Sequence, residues 1–167
     1  MSILKFERRT PRSLQEMYDY LTDPNKTNET YLFGIGCNPI AAVSEMQFVK
    51  NIFYKNHYKH PYIQVIFSFD RGLNLHYYQI KQICFEIGKA LLLENDKRQI
   101  FAAIHLLGKD QDNIHCHYLI NSVNINGKPY DQAHHLNFYK KRINNILRYY
   151  GLTPIVMYEA DEMRISA

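Results

Sequence analysis

Tryptophan is absent from this chain, cysteine occurs only three times, and there are just 7 Gly and 6 Pro in 167 residues. So little glycine and proline excludes a collagen-like or low-complexity chain. Cys37, Cys84 and Cys116 are odd in number and never spaced C-x-x-C, which argues against a zinc ribbon or disulfide scaffold and for reduced thiols. Cys116 reads as a small buried apolar residue. No run of about 18 apolar residues is available to span a bilayer, so no membrane insertion is expected. The N-terminus, MSILKFERRTPR, lacks an apolar stretch followed by a small-residue cleavage site, and a cytoplasmic location is expected. A large charge excess is missing too. The net charge of +4 suits a polyanionic partner but is too modest to identify one.

What the chain does have is aromatic surface, with 14 Tyr and 9 Phe. Such rings either fill a core or, interleaved with Lys and Arg, offer faces to unstacked bases. The length, the 46% apolar and the 22% charged content suit one globular domain over residues 1–167, and no repeat or linker interrupts it.

Ser13-Leu-Gln-Glu16 has capping-box spacing, and Leu14, Met17, Tyr18 and Leu21 follow at helical intervals, so a short helix is predicted up to Thr22-Asp23-Pro24. Tyr20 falls off that apolar stripe, about one turn from Glu16, and is free for something other than packing. Residues 31–37 alternate like a strand, with Gly34 and Gly36 clearing one face for a close approach. A helix is predicted over about 40–54, a basic connection over 55–60, a strand over 63–69, and a long helix marked by Ile80, Ile83, Cys84, Ile87 and Leu91. Residues 100–107 and 114–123 read as central strands of an antiparallel hairpin joined by a polar loop. Leu136, Tyr139, Ile143, Ile146 and Tyr150 mark a fourth helix, whose other face carries Lys141, Asn144, Asn145 and Arg148. Residues 153–158 read as a returning edge strand. The class is therefore α+β, with a central antiparallel sheet of about five strands flanked by helices.

His115-Cys-His117 lies within a predicted strand, where residues two apart share a face, so both imidazoles can reach one point. The pair alone is weak. His105, near the end of the neighbouring strand, can join it if the loop closes the hairpin. Three neutral imidazoles with open positions suit a divalent ion that must still accept a substrate oxygen. Asp110 and Asp112 in the loop can supply an outer carboxylate or a further ligand, or simply be solvated.

The stretches Asp19-Tyr-Leu-Thr-Asp-Pro-Asn-Lys-Thr27, His105 and Asn113-Ile-His-Cys-His-Tyr-Leu-Ile-Asn121 resemble the relaxases of mobile elements from Gram-positive bacteria, the MobP-like branch of the HUH endonucleases. The similarity also takes in Gly34 to Pro39, Ile63-Gln64 and Gly127 to Tyr130. It implies a ferredoxin-like core, Tyr20 as nucleophile, and His105, His115 and His117 as ligands of a metal, Mn or Mg, with Zn, Ni or Co also accommodated. It further implies single-stranded or hairpin origin DNA as substrate, with relaxosome accessory and coupling proteins as partners. Relatives often have a shorter acidic turn before the pair, and a further histidine where this chain has Asn113.

On that resemblance, Tyr20 attacks a phosphodiester to give a 5′-phosphotyrosine and a free 3′-hydroxyl. A phenol with a pKa near 10 needs help to ionise at neutral pH, and Glu16 is a candidate base. Arg8, Arg9, Arg12 and Lys26 near the tyrosine, and Lys140, Lys141 and Arg148 on the fourth helix, are candidate phosphate contacts. Tyr31, Tyr58 and Tyr62 are candidate stacking platforms. Two alternatives stay open: a rolling-circle initiator using Tyr139, Tyr149 or Tyr150, and a relaxase-like module that binds origin DNA without cutting it.

Overall fold

The computed structural model describes residues 1–7, 10, 12–55, 59–106, 113–130 and 136–159. Along the chain run β1 (Ile3–Phe6), α1 (Leu14–Leu21), a single 3-10 turn (Glu29–Tyr31), β2 (Leu32–Ile35), α2 (Ala42–Ile52), β3 (Tyr62–Ser68), α3 (Tyr77–Ala90), β4 (Ile100–His105), β5 (His115–Asn121) and α4 (Leu136–Tyr149). The five strands form one antiparallel sheet in the order β1-β3-β5-β4-β2. This is the α+β architecture that the residue pattern predicts.

Both faces of the sheet are covered, which is why β4 and β5 read as nearly continuous apolar runs. Ala102, Ile104, Cys116, Tyr118 and Ile120 point into one core with Ile80, Ile83, Cys84 and Ile87 of α3 and Tyr139, Ile143 and Leu147 of α4. Phe101, Ala103 and Leu119 point the other way, onto Leu14, Met17 and Leu21 of α1 and Ala42 and Met46 of α2. Among the described residues, no helix is long and apolar enough to cross a membrane.

Helix α1 starts where its capping box places it. The Ser13 hydroxyl accepts from Glu16 N at 3.2 Å, and the Glu16 carboxylate accepts from Ser13 N at 2.7 Å. Such a cap is worth about 1 kcal/mol.

Two expectations about strands are corrected. Residues 153–158 do not form the edge strand; only Ile155 bridges the sheet side, to Ser2. The backbone there is taken instead by α4, whose Asn144 exchanges hydrogen bonds with both Ile155 N (2.7 Å) and Ile155 O (2.9 Å). The edge beside β3 belongs to β1, a strand with a single buried residue, Leu4. The strand expected over 31–37 is confined to Leu32–Ile35. What approaches Gly34 is the chain itself, since a Cβ there would lie 2.0 Å from the Cys37 carbonyl oxygen.

Candidate active site

β4 ends at His105 and β5 begins at His115, and the register sets these two directly opposite each other, with His117 opposite Ala103. All three share the parity of Ala103 and Leu119, so their side chains lie on the α1/α2 face. The small Ala103 leaves room above β4 for the His117 ring. The ring centroids are 4.7 to 5.1 Å apart, and one ring nitrogen from each residue lies within 4.8 Å of the others. Among the described residues this is the one group of three or more His, Cys, Asp or Glu able to hold a metal ion.

Each ring is held from behind. His105 Nε2 donates to the Leu21 carbonyl at 2.8 Å, and His115 Nδ1 donates to the Asn113 carbonyl at 3.1 Å. A carbonyl can only accept, so these contacts place the protons and leave His105 Nδ1 and His115 Nε2 bare. His117 Nδ1 meets the buried Gln64 amide of β3 at 3.2 Å. As placed, the amide nitrogen donates to Nδ1 and leaves the ring proton on Nε2; with the amide flipped, its oxygen would accept from Nδ1 and bare Nε2 for a metal. Burial lowers the pKa of all three. His117 is the extreme, brought down to about 2 by burial first, then by the neighbouring His105 and His115 and by Lys26. Neutral imidazoles with free lone pairs are what a divalent ion requires, so the donor set fits a metal.

The Leu21 carbonyl is the link to Tyr20, because it ties the last turn of α1 to the cluster. Tyr20 itself is 44% exposed. The segment after it turns back on side-chain contacts: Thr22 donates to Tyr18 O at 2.8 Å, Asp23 accepts from Asn25 N at 2.9 Å, and the buried Thr27 hydroxyl donates to Ile104 O at 2.8 Å. That last bond fastens the turn beside His105. Arg12 and Lys26 both lie against the Tyr20 ring, 4.2 and 3.2 Å from its centroid.

A family model for the nuclease domain of MobA/VirD2-like relaxases matches residues 20–152, well over half of the chain. The chain belongs to this relaxase family. No curated protein matches it. The matched span of this relaxase domain opens on Tyr20 and contains all three histidines. The family carries nuclease activity on single-stranded origin DNA and depends on a metal, which the histidine cluster is equipped to hold.

Other residues of the relaxase domain fall in several places. Glu16 is occupied as the cap of α1, and the bonds from Ser13 hold its carboxyl below the usual range, which suits a cap better than a base. Lys141 and Arg148 are exposed on α4, which packs on the sheet face opposite the histidines. Tyr139, Tyr149 and Tyr150 share that helix or its end, so none is offered to the cluster. Lys140 is corrected as a phosphate contact: it is buried, and its ammonium donates to Val156 O at 2.8 Å. Tyr62 is corrected as a platform, being fully buried with its hydroxyl on Arg12 O at 2.9 Å. Tyr31 packs edge-on against Tyr77. Asp110, Asp112, Arg8, Arg9 and Tyr58 lie outside the described residues. Gln64 and Thr27 each gain a role in holding the site that their neighbours in sequence do not reveal. The only sequence signal for them was their place within the resembling motifs.

Proposed function

We propose that this domain nicks one strand of a transfer origin by transesterification on Tyr20, as a MobP-like relaxase of a mobile element from Gram-positive bacteria. The observation that carries the reading is the 2.8 Å bond from His105 to the Leu21 carbonyl, which couples the helix end bearing Tyr20 to the histidine cluster. An exposed tyrosine next in sequence to the residue whose carbonyl holds His105 is suited to delivering a phenol oxygen to a phosphodiester.

In the step proposed, the Tyr20 oxygen forms a bond to phosphorus as its proton leaves. The bond from phosphorus to the 3′ oxygen breaks, and that oxygen takes up a proton. The products are a 5′-phosphotyrosine and a 3′-hydroxyl, and since one phosphoester replaces another, the strand can be resealed by the reverse step. His105, His115 and His117 would hold a divalent ion, Mn or Mg in this reading, which would supply Lewis acidity toward the phosphate. The protein's own part is to fix the three rings through Leu21, Asn113 and Gln64, and to keep the imidazoles unprotonated by burial. Arg12 and Lys26, near Tyr20, are suited to the backbone phosphates; Lys141 and Arg148 would require the DNA to pass the far face. The catalytic domain in this reading spans residues 1–167, acts in the cytoplasm, and works with accessory and coupling proteins at the origin.

The test is incubation with single-stranded origin-type oligonucleotides and Mn²⁺ or Mg²⁺, followed by a denaturing gel. Wild type is expected to give a covalent protein-DNA adduct that is lost with chelator and in Tyr20→Phe. Tight binding without any adduct over a broad oligonucleotide panel would instead identify a DNA-binding module that does not cut.

A further inference from the structure

Tyr20 does not stand alone at the end of its helix. The Lys26 ammonium lies 3.2 Å from the ring centroid and the Arg12 guanidinium carbon 4.2 Å from it. Lys26 Nζ also donates to the Tyr20 carbonyl at 3.3 Å, so one side chain holds both the ring and the backbone of the same residue. Lys26 is itself fixed: its N–H donates to Asp23 O at 2.8 Å, and the next residue, Thr27, is fastened by its hydroxyl to Ile104 O at 2.8 Å. The separation from Tyr20 to Lys26 is therefore the length of a turn that folds back over the helix end.

We infer that Lys26, with Arg12 beside it, is a positioning residue for Tyr20, holding the phenol ring in one orientation at the histidine cluster through cation-π contact. The inference rests on the reading of Tyr20 as nucleophile and extends it to how that nucleophile is aimed. A half-exposed tyrosine on a last helical turn has more than one open rotamer, whereas in-line attack needs its oxygen in one place. A cation on the ring face biases that choice by a factor of roughly two to thirty. The same cations can bind phosphate. The positioning role nonetheless makes a different demand: loss of Lys26 must slow the chemical step, not only weaken the hold on DNA.

The experiment is single-turnover adduct formation with wild type, Lys26→Gln, Lys26→Arg and Tyr20→Phe, in which kcat is the rate at saturating DNA and KM the DNA concentration that gives half of it. Lys26→Gln is expected to lower kcat roughly two- to thirtyfold. Lys26→Arg should restore most of it, because a guanidinium also stacks on an aromatic face. A raised KM with unchanged kcat in Lys26→Gln would make Lys26 a phosphate contact and overturn the inference. A second measurement needs no Lys26 variant: in the free wild-type protein, the NMR resonances of the Lys26 ε-methylene should be shifted upfield by the ring and relax in Tyr20→Leu. Unshifted resonances also overturn it. If Tyr20→Phe forms adduct as fast as wild type, the nucleophile assignment fails. If Tyr20→Phe is inactive while Lys26→Gln keeps the wild-type kcat, only the positioning role fails.

Discussion

Each histidine of the cluster commits one ring nitrogen to the protein, and His117 differs from its neighbours in its partner. His105 and His115 give their protons to main-chain carbonyls, which cannot reverse the contact. His117 faces a side-chain amide that presents either an oxygen or a nitrogen, so Gln64 decides its tautomer. Removing the amide in Gln64→Leu should weaken divalent-ion binding by about 10- to 100-fold, the usual effect of losing a group that orients a ligand. Gln64→Glu, whose carboxylate can only accept, should preserve or improve it. Titration with Co²⁺, followed by its visible absorption, gives both dissociation constants; equal affinity in wild type and Gln64→Leu would show that the amide does not orient the ring. The three histidines could be read from the chain because strand periodicity sets His115 and His117 on one face. Gln64 and the Leu21 carbonyl could not be read that way: their contacts cross 53 and 84 residues.

Among the elements, α1 was the most legible, since its cap, apolar stripe and exit each leave a local mark. β1 was not, because four residues with one buried side chain show no alternation to detect. Residues 153–158 did show a strand-like pattern, but α4 side chains claim their backbone groups. Helix α2 contains a conflict visible only in three dimensions. Its buried stripe is Ala42, Met46 and Lys50, while Phe48 and Ile52 face outward. Lys50 is 2% exposed, its ammonium finds no hydrogen-bond partner among the described residues, and burial brings its pKa down to about 8. In the unfolded chain a lysine titrates near 10.4. Between those two values the unfolded state binds more protons, so this group makes stability rise with pH across that window, and the penalty is fully present below about 8. Lys50→Met should therefore stabilise the fold at pH 7, by on the order of 1–3 kcal/mol. The gain should shrink toward pH 10. Urea denaturation at the two pH values measures it, and a less stable variant at pH 7 would mean that Lys50 makes a favourable contact in solution.

For the whole molecule, the sheet divides the labour. One face, under α3 and α4, holds the larger core; the other carries α1, α2 and the histidines. The chain pattern specified the helices but not the face each would cover, which is why the cations of α4 looked as close to the chemistry as those beside Tyr20. The cluster itself draws on β3, β4, β5, the turn before β5 and the end of α1, so no such site survives in an unfolded chain. An ion that binds only the native state stabilises it by mass action, about 2.7 kcal/mol at a free concentration one hundred times the dissociation constant. For a domain of this size each kcal/mol raises the melting midpoint by about 2–4 °C. Saturating Mn²⁺ should accordingly raise the midpoint of wild type by roughly 5–10 °C, and chelator should reverse the shift. His105→Ala removes one proposed ligand and one tie to α1 together, so its own midpoint should be lower and its response to Mn²⁺ small. If His105→Ala instead gained as many degrees from Mn²⁺ as wild type does, the ion would be binding somewhere other than between these strands.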